Sequence, residues 1–455
     1  MSDSLDRARV IATSVRDAGG RALIVGGWVR DRLLGRDSKD IDIEVFGLAP
    51  DRLHAVLESL GRVERVGESF QVYKAGDIDV SLPRRESKSG RGHRGFDVIG
   101  DPSLTIADAA RRRDFTVNAI AWDPLRPTDE EYLDPFDGRG DLARRVLRVV
   151  DPTTFGDDSL RVLRAIQFAA RFGFELDEEA RALCRTIPLD DLAAERIWGE
   201  MEKLLFAARP SVGFALALEL GAVEKLFPEL HALAGCPQEP EWHPEGDVWG
   251  HTLQVIDQAR TRVDDLPRPQ QIAMMLGASC HDFGKPATTA VVEGRIRSID
   301  HEEQGVGPTV SFLDRLNVRS IDGYDVRRQV IGLVAQHLKP GMWFKVRDEV
   351  GDSAFRRLAQ KVDLELLARL AKADCLGREP GIFNCEAMDW FLGRAQGLGV
   401  EHRPPAPILL GRHVLQLGLP PGPRVGEILK AVYEQQLDGR VTELDEALAL
   451  ARQLL

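Results

Sequence analysis

Short apolar runs of period two fill the first third of the chain, and longer helical periodicities replace them further on. Ala22–Val25, Ile41–Phe46 and Ile78–Leu82 read as strands among amphipathic helices, which predicts an α/β unit over residues 1–150. From about Asp151 the spacing changes to that of helices, as in SLRVLRAIQFAARFGF and ERIWGEMEKLLFA, so residues 151–234 are expected to be all-α. The segment GCPQEPEWHPEGDVWG (235–250), rich in Pro, Gly and Trp, reads as a linker or ordered loop. A third unit over 248–380 holds four of the ten histidines, and a helical tail, opened by the break HRPPAP (402–407), occupies 400–455. No repeat period or low-complexity tract interrupts this order.

Length and composition narrow the class. A chain of 455 residues exceeds one ordinary core and suggests three to four compact units. With 43% hydrophobic and 29% charged residues it is expected to be globular and soluble. No apolar run reaches the length of a membrane span and the N-terminus lacks an apolar signal region, so a cytoplasmic location is expected. The five cysteines, Cys184, Cys236, Cys280, Cys375 and Cys385, show no metal-type pairing and are expected to be reduced thiols. A net charge of −12 argues mildly against a nucleic-acid partner, but a local basic surface suffices for one. Arg84–Arg94 (RRESKSGRGHR) and Arg111-Arg112-Arg113, followed by Arg144, Arg145 and Arg148, offer such a surface.

The chemistry begins in LIVGGWVRDRLLGRDSKDIDIEVFG. On a strand, Asp40 and Asp42 share one face while Ile41, Ile43 and Val45 take the other. Paired carboxylates suit Mg²⁺, which takes one or two of them together with substrate phosphate. Asp79 in GDIDVSL is the expected third carboxylate, with Asp77 the weaker alternative. Gly26-Gly27, between a strand and a helix, lets backbone N–H groups approach phosphate.

With RRDFTVNA (112–119), DPFDGRGDL (134–142), DDSLRVLRA (157–165) and AERIWGEM (194–201) following in order, the chain resembles the class II tRNA nucleotidyltransferases, the bacterial CCA-adding enzymes, and their relatives the bacterial poly(A) polymerases. The resemblance implies a polymerase-β-like nucleotidyltransferase head, a helical neck and body, and Mg²⁺ on Asp40 and Asp42. It implies phosphate contacts at Gly27 and Arg30, and Arg113, Asp114 and Asn118 orienting the incoming nucleotide. In DDSLRVLRA it implies an amino-acid template that reads the edge of C or A, with Asp158 and Arg161 as readers and Arg164 as support. If 157–168 is helical, Asp157, Arg161 and Arg164 fall on one face. Two positions depart from the pattern: Asp157 stands where glutamate is usual, and Gln167 where several relatives carry arginine. The segment RRESKSGRGHRGF resembles the flexible loop that CCA-adding enzymes use in switching from C to A.

In the third unit, His281-Asp282 together with His251 and Asp374 resembles the H…HD…D pattern of the HD metal-dependent phosphohydrolases. That resemblance implies an all-α HD domain binding nickel, manganese, cobalt or zinc. His301 and His337 are further candidate ligands or phosphate contacts, and phosphatase or phosphodiesterase activity is implied. The expected function is addition or repair of the tRNA 3′-terminal CCA from CTP and ATP, with release of pyrophosphate. The alternatives are a poly(A) polymerase or A-adding enzyme, and, from other classes, an HD nucleotide phosphohydrolase with a degenerate RNA-binding N-terminal region or an RNA-binding adaptor.

Overall fold

The structure, a computed structural model, describes residues 2–38, 40–66, 72–88, 96–126, 132–378 and 385–455. The chain divides into two compact units, residues 1–207 with 212–226, and residues 208–211 with 227–455.

The first unit is built on a mixed sheet. Its strands are β1 (Arg21–Val25), β2 (Ile41–Phe46), β3 (Glu64–Val66), β4 (Val72–Ala75) and β5 (Ile78–Ser81). After a hairpin of β6 (Arg84–Lys88) and β7 (Phe96–Gly100), β8 (Ala121–Trp122) and β9 (Tyr132–Leu133) complete it. The sheet order is β3-β4-β5-β2-β1-β8-β9. β2 and β5 pair in parallel, whereas β1 runs antiparallel to both its neighbours. The apolar phase of β2 is realised, Ile41, Ile43 and Val45 being buried, while on the other phase Asp42 is exposed and Glu44 is buried. Helix α1 (Ser2–Asp17) supplies Ala8, Ile11, Ala12 and Val15 to the same core, an i, i+3, i+4, i+7 stripe.

Helix α2 (Gly27–Leu33) starts directly after β1 because Gly26 takes a positive φ of 77° there. A methyl group at Gly26 would also come within 3.0 Å of Arg113 Nη1. Further along, helix α3 (Leu160–Phe172) is buried on most of its circumference, Val162, Ala165 and Ile166 nearly completely, and it ends at Gly173 with φ 67°. Helix α4 (Ala194–Leu205) packs against it.

The expected helix over 157–168 is corrected here. Residues 155–157 form a 3₁₀ turn, Asp158 is extended, and α3 starts at Leu160. The Asp158 carboxylate accepts the Leu160 N–H at 3.2 Å, a local bond that favours a turn over continued helix. Asp157 therefore lies before the helix that carries Arg161 and Arg164. The loop-like segment 84–96 has its first strand in the β6–β7 hairpin, while residues 89–95 lie outside the described residues.

The second unit is mostly helical. Helices α5 (Val248–Arg260), α6 (Arg268–Cys280), α7 (Val326–Gln336) and α8 (Leu364–Leu376) pack on one another, and α9 (Glu386–Gly397) lies against α8. The tail helices α10 (Pro423–Leu437) and α11 (Leu444–Gln453) share a small core of Leu409, Val414, Ile428, Val432, Val441, Ala447 and Ala451. The expectation of five reduced cysteines is also corrected. The end of α8 and the start of α9 bring Cys375 and Cys385 to a Cα–Cα distance of 6.2 Å, and a disulfide joins them. Cys184, Cys236 and Cys280 are free and buried. Among the described residues no helix is long and apolar enough to cross a membrane.

Candidate active sites

In the first unit the register of β2 against β5 sets Asp42 opposite Asp79, so the two carboxylates stand side by side across a parallel pair. Asp40 immediately precedes β2 and is exposed. Asp79 also holds Lys74 at 3.1 Å. Asp77 is turned away, bonded to Ser4 and Arg7. Surrounding protein atoms push the Asp42 carboxyl above its ordinary range, Arg113 pulls it down, and Asp79, Asp40 and Glu44 push it up again. A site that crowds carboxylates in this way favours a cation.

Behind this face lies a network of arginines. Glu44, two residues beyond Asp42, is buried, and its Oε1 bonds Arg112 and lies 3.4 Å from Arg113 Nη2. Asp114 accepts from the Phe115 N–H (2.8 Å), Asn118 Nδ2 (2.9 Å) and Arg164 Nε (2.6 Å). Burial opposes ionisation of Asp114, but Arg164 and these bonds outweigh it and hold the carboxyl below its usual range. Asn118 Oδ1 in turn accepts from Arg30 at 2.7 Å.

Arg30 itself is 5% exposed. It donates to Asp31 at 2.7 and 2.8 Å, and its guanidinium lies 4.4 Å from the centre of the Phe172 ring and 5.1 Å from that of Phe168. Its contacts in this state are with protein groups that bind the start of α2 to α3.

The two sequence-derived base readers have separate partners. Asp158 Oδ2 lies 2.9 Å from Arg196 of α4, while Arg161 donates to the carbonyls of Thr154 (3.0 Å) and Arg112 (2.5 Å). Each retains hydrogen-bonding capacity, since a guanidinium has five N–H donors and a carboxylate about four acceptor sites. Gln167 is buried, its Oε1 accepting from Arg171 at 3.2 Å. Glu44 and Arg196 were missed as members of this site, although both sit within the stretches already singled out. Only the period-two spacing from Asp42 could have pointed to Glu44.

The second unit brings His251, His281, Asp282, His301, His337 and Asp374 together. His251 Nε2 is 3.0 Å from Asp374 Oδ1, His281 Nε2 is 3.2 Å from Asp282 Oδ2, and His301 Nε2 is 3.3 Å from Asp282 Oδ1 and 3.2 Å from His337 Nε2. Three of the imidazoles are aimed by backbone: Nδ1 of His281, His301 and His337 meets the carbonyl of Ala278, Ser298 and Val334 respectively, leaving Nε2 facing inward. His251 Nδ1 instead meets Glu245 Oε1 at 2.8 Å, and the same oxygen is 2.8 Å from His243 Nδ1.

Charge in this cluster suits a cation. Burial disfavours ionisation of Asp282 and Asp374, yet His281 and Lys285 around the first, and Arg378 and His251 around the second, hold both well below the usual carboxylate range. Burial with the nearby His301 and His281 takes His337 down to about 3, so it stays neutral. His281 Nε2 and Asp282 Oδ2 are buried 3.2 Å apart, with Lys285 Nζ 2.8 Å from the same oxygen, and neither atom makes a well-aligned hydrogen bond. Asp282, His301, His337 and Asp374 line a cavity of about 560 Å³, walled also by Trp242, His243, Lys285, Arg297, Lys345 and Arg378. His243 and Glu245 come from the segment read as a linker, where neither spacing nor periodicity marked them.

Fold and carboxylate face together define a nucleotidyltransferase of the polymerase type. Residues 22–148 match the poly A polymerase head domain, and residues 173–233 match the probable RNA and SrmB-binding site of polymerase A. The multifunctional CCA protein of Xanthomonas campestris pv. campestris (strain B100) is 35% identical over 89% of this chain and 95% of its own length. That of Stenotrophomonas maltophilia (strain K279a) is 42% identical over 65% of this chain and 71% of its own. The chain belongs to the family of the multifunctional CCA proteins, CCA-adding tRNA nucleotidyltransferases. Its fold is that of the CCA-adding enzyme of Bacillus stearothermophilus solved with CTP (TM-score 0.65, 22% identity, 100% of this chain and 98% of the other). The Thermotoga maritima CCA-adding enzyme complexed with tRNA has a TM-score of 0.58 at 21% identity, covering 98% of this chain and 94% of its own.

Proposed function

We propose that the chain builds or repairs the 3′-terminal CCA of tRNA from CTP and ATP at the face made by Asp40, Asp42 and Asp79. The observation that carries this reading is the Asp42–Asp79 register pair, with Arg113 and the Gly26 turn beside it. The three carboxylates would hold Mg²⁺, which supplies charge to the attacking 3′-hydroxyl oxygen and to the leaving pyrophosphate. Arg113 meets the triphosphate next to the Gly26-Gly27 turn. Asn118 and Asp114 face the ribose, Arg164 holding Asp114 in place. Asp158 and Arg161 read the base, braced by Arg196 and by the Thr154 and Arg112 carbonyls. Asp157 and Arg30 support this site from the turn before α3 and the start of α2.

The assay is incubation with Mg²⁺ and tRNA ending at the discriminator base, at C or at CC, offering CTP and ATP separately and together. Products stopping at CCA are expected. Long A tracts on unstructured RNA would overturn the reading in favour of a poly(A) polymerase, and full incorporation by Asp42→Ala would refute the metal face.

The inward-facing cluster of the second unit supports a second activity, metal-dependent hydrolysis of phosphate esters in an HD-type domain. His251, His281, Asp282 and Asp374 would hold a transition metal, with His301 and His337 as further ligands. Such an ion supplies a nucleophile at neutral pH. Lys285, Arg297 and Arg378 give the cavity positive charge for a phosphoryl group. Phosphomonoester and cyclic phosphodiester hydrolysis should appear with Ni²⁺, Mn²⁺, Co²⁺ or Zn²⁺ and vanish in Asp282→Asn; no hydrolysis with any of them refutes it.

A further inference from the structure

Glu44 is a buried carboxylate beside a metal face, and the nucleotidyl-transfer chemistry does not use it. It lies on the same side of β2 as Asp42, and both of its neighbours across the network are arginines, Arg112 and Arg113. Arg113 sits between two carboxylates. Its Nη2 is 3.4 Å from Glu44 Oε1, and its Nη1 flanks Gly26, where a point at the position of an added methyl is 3.0 Å from that nitrogen and 3.8 Å from Asp42 Oδ2. A buried guanidinium in this position can pair with either acid. Whatever pairing it makes with Asp42 competes directly with a divalent cation for the same oxygens.

We infer that Glu44 is a positioning residue that holds Arg113 off Asp42 and so keeps the metal face open before nucleotide arrives. This rests on the reading of Asp42 as a metal ligand. Arg113, anchored at one end, still presents its other N–H groups to the triphosphate. The oxygens of Asp42 stay available without the cation first having to displace a competitor. The same carboxylate bonds the Arg112 side chain, and the carbonyl of Arg112 receives Arg161.

The test is Glu44→Gln, which preserves shape and removes charge. Binding of Mn²⁺ to the full chain, followed by electron paramagnetic resonance, is compared with Asp42→Asn, and the signal lost in Asp42→Asn defines this site. In Glu44→Gln the midpoint for that signal is expected to rise about tenfold, the low end of what outer ligand partners contribute to metal affinity. CTP incorporation should fall at low Mg²⁺ and return at saturating Mg²⁺ with the KM for CTP unchanged. In the double variant Glu44→Gln/Arg113→Met the Mn²⁺ midpoint should return towards that of wild type, because the competing cation is gone. An unshifted midpoint in Glu44→Gln, or a loss that neither high Mg²⁺ nor Arg113→Met restores, overturns the inference and leaves Glu44 a packing residue. If Asp42→Asn binds Mn²⁺ as wild type does, the metal reading of Asp42 fails first and the inference falls with it.

Discussion

At the scale of single residues, the difference between chemistry and choice can be measured. Asp158 and Arg161 each keep free hydrogen-bonding capacity while bound to fixed partners, which is what a protein-made template needs. Asp158→Ala should leave pyrophosphate release largely intact and erode the preference for CTP over UTP by about 1–3 kcal/mol, the worth of one well-formed base contact, read as a ratio of kcat/KM values. Gly26→Ala forces a side chain onto a positive φ and towards Arg113, so it should cost about 1–3 kcal/mol in stability and depress incorporation. The carboxylates were legible in the sequence because a period of two is a purely local signal. Glu245 was not, since its value comes from His251 and His243 meeting one oxygen. Glu245→Gln should weaken transition-metal binding in the second unit about 10–100-fold, measured by calorimetry, with unit 1 activity unchanged.

At the scale of elements, β1, β2 and β5 were legible almost to the residue, whereas β3, β4 and β6–β9 were not read and the start of α3 was displaced. Asp158 and Arg161 belong to one short motif, and spacing alone cannot tell a helix from a turn that feeds one. The side-chain bond from Asp158 to the Leu160 N–H decided it. The disulfide was illegible for a different reason: Cys375 lies in α8 and Cys385 just before α9, and the packing of α8 and α9 brings them together. The remaining thiols should be inert in the native state. Burial pushes Cys184 up to about 12 and raises Cys236 and Cys280 as well. Maleimide labelling of the folded protein should therefore give almost no signal until a reductant opens the Cys375–Cys385 bond. Strong labelling without reductant would contradict the pairing.

At the scale of the whole chain, each of the two compact units carries its own cluster of candidate metal ligands, so one chelator should have two separable effects. Removing Mg²⁺ should stop incorporation at once. Adding Ni²⁺ or Mn²⁺ to metal-free protein at about 100 times its Kd should raise the stability of the second unit by about 2.7 kcal/mol, seen as a shift of one thermal transition that Asp282→Asn abolishes. Within the first unit, Arg30 has a wider consequence. Its guanidinium lies over Phe168 and Phe172 while bonded to Asn118 and Asp31, so it joins the Gly26–Asp31 turn to the helix that carries Arg161 and Arg164. A protein engineer wishing to transplant the nucleotide preference of one relative into another cannot graft α3 by itself. The graft has to include the Gly26–Asp31 turn and its aromatic seat as one inherited block, or the recipient will receive the letters of the code without the ruler that spaces them.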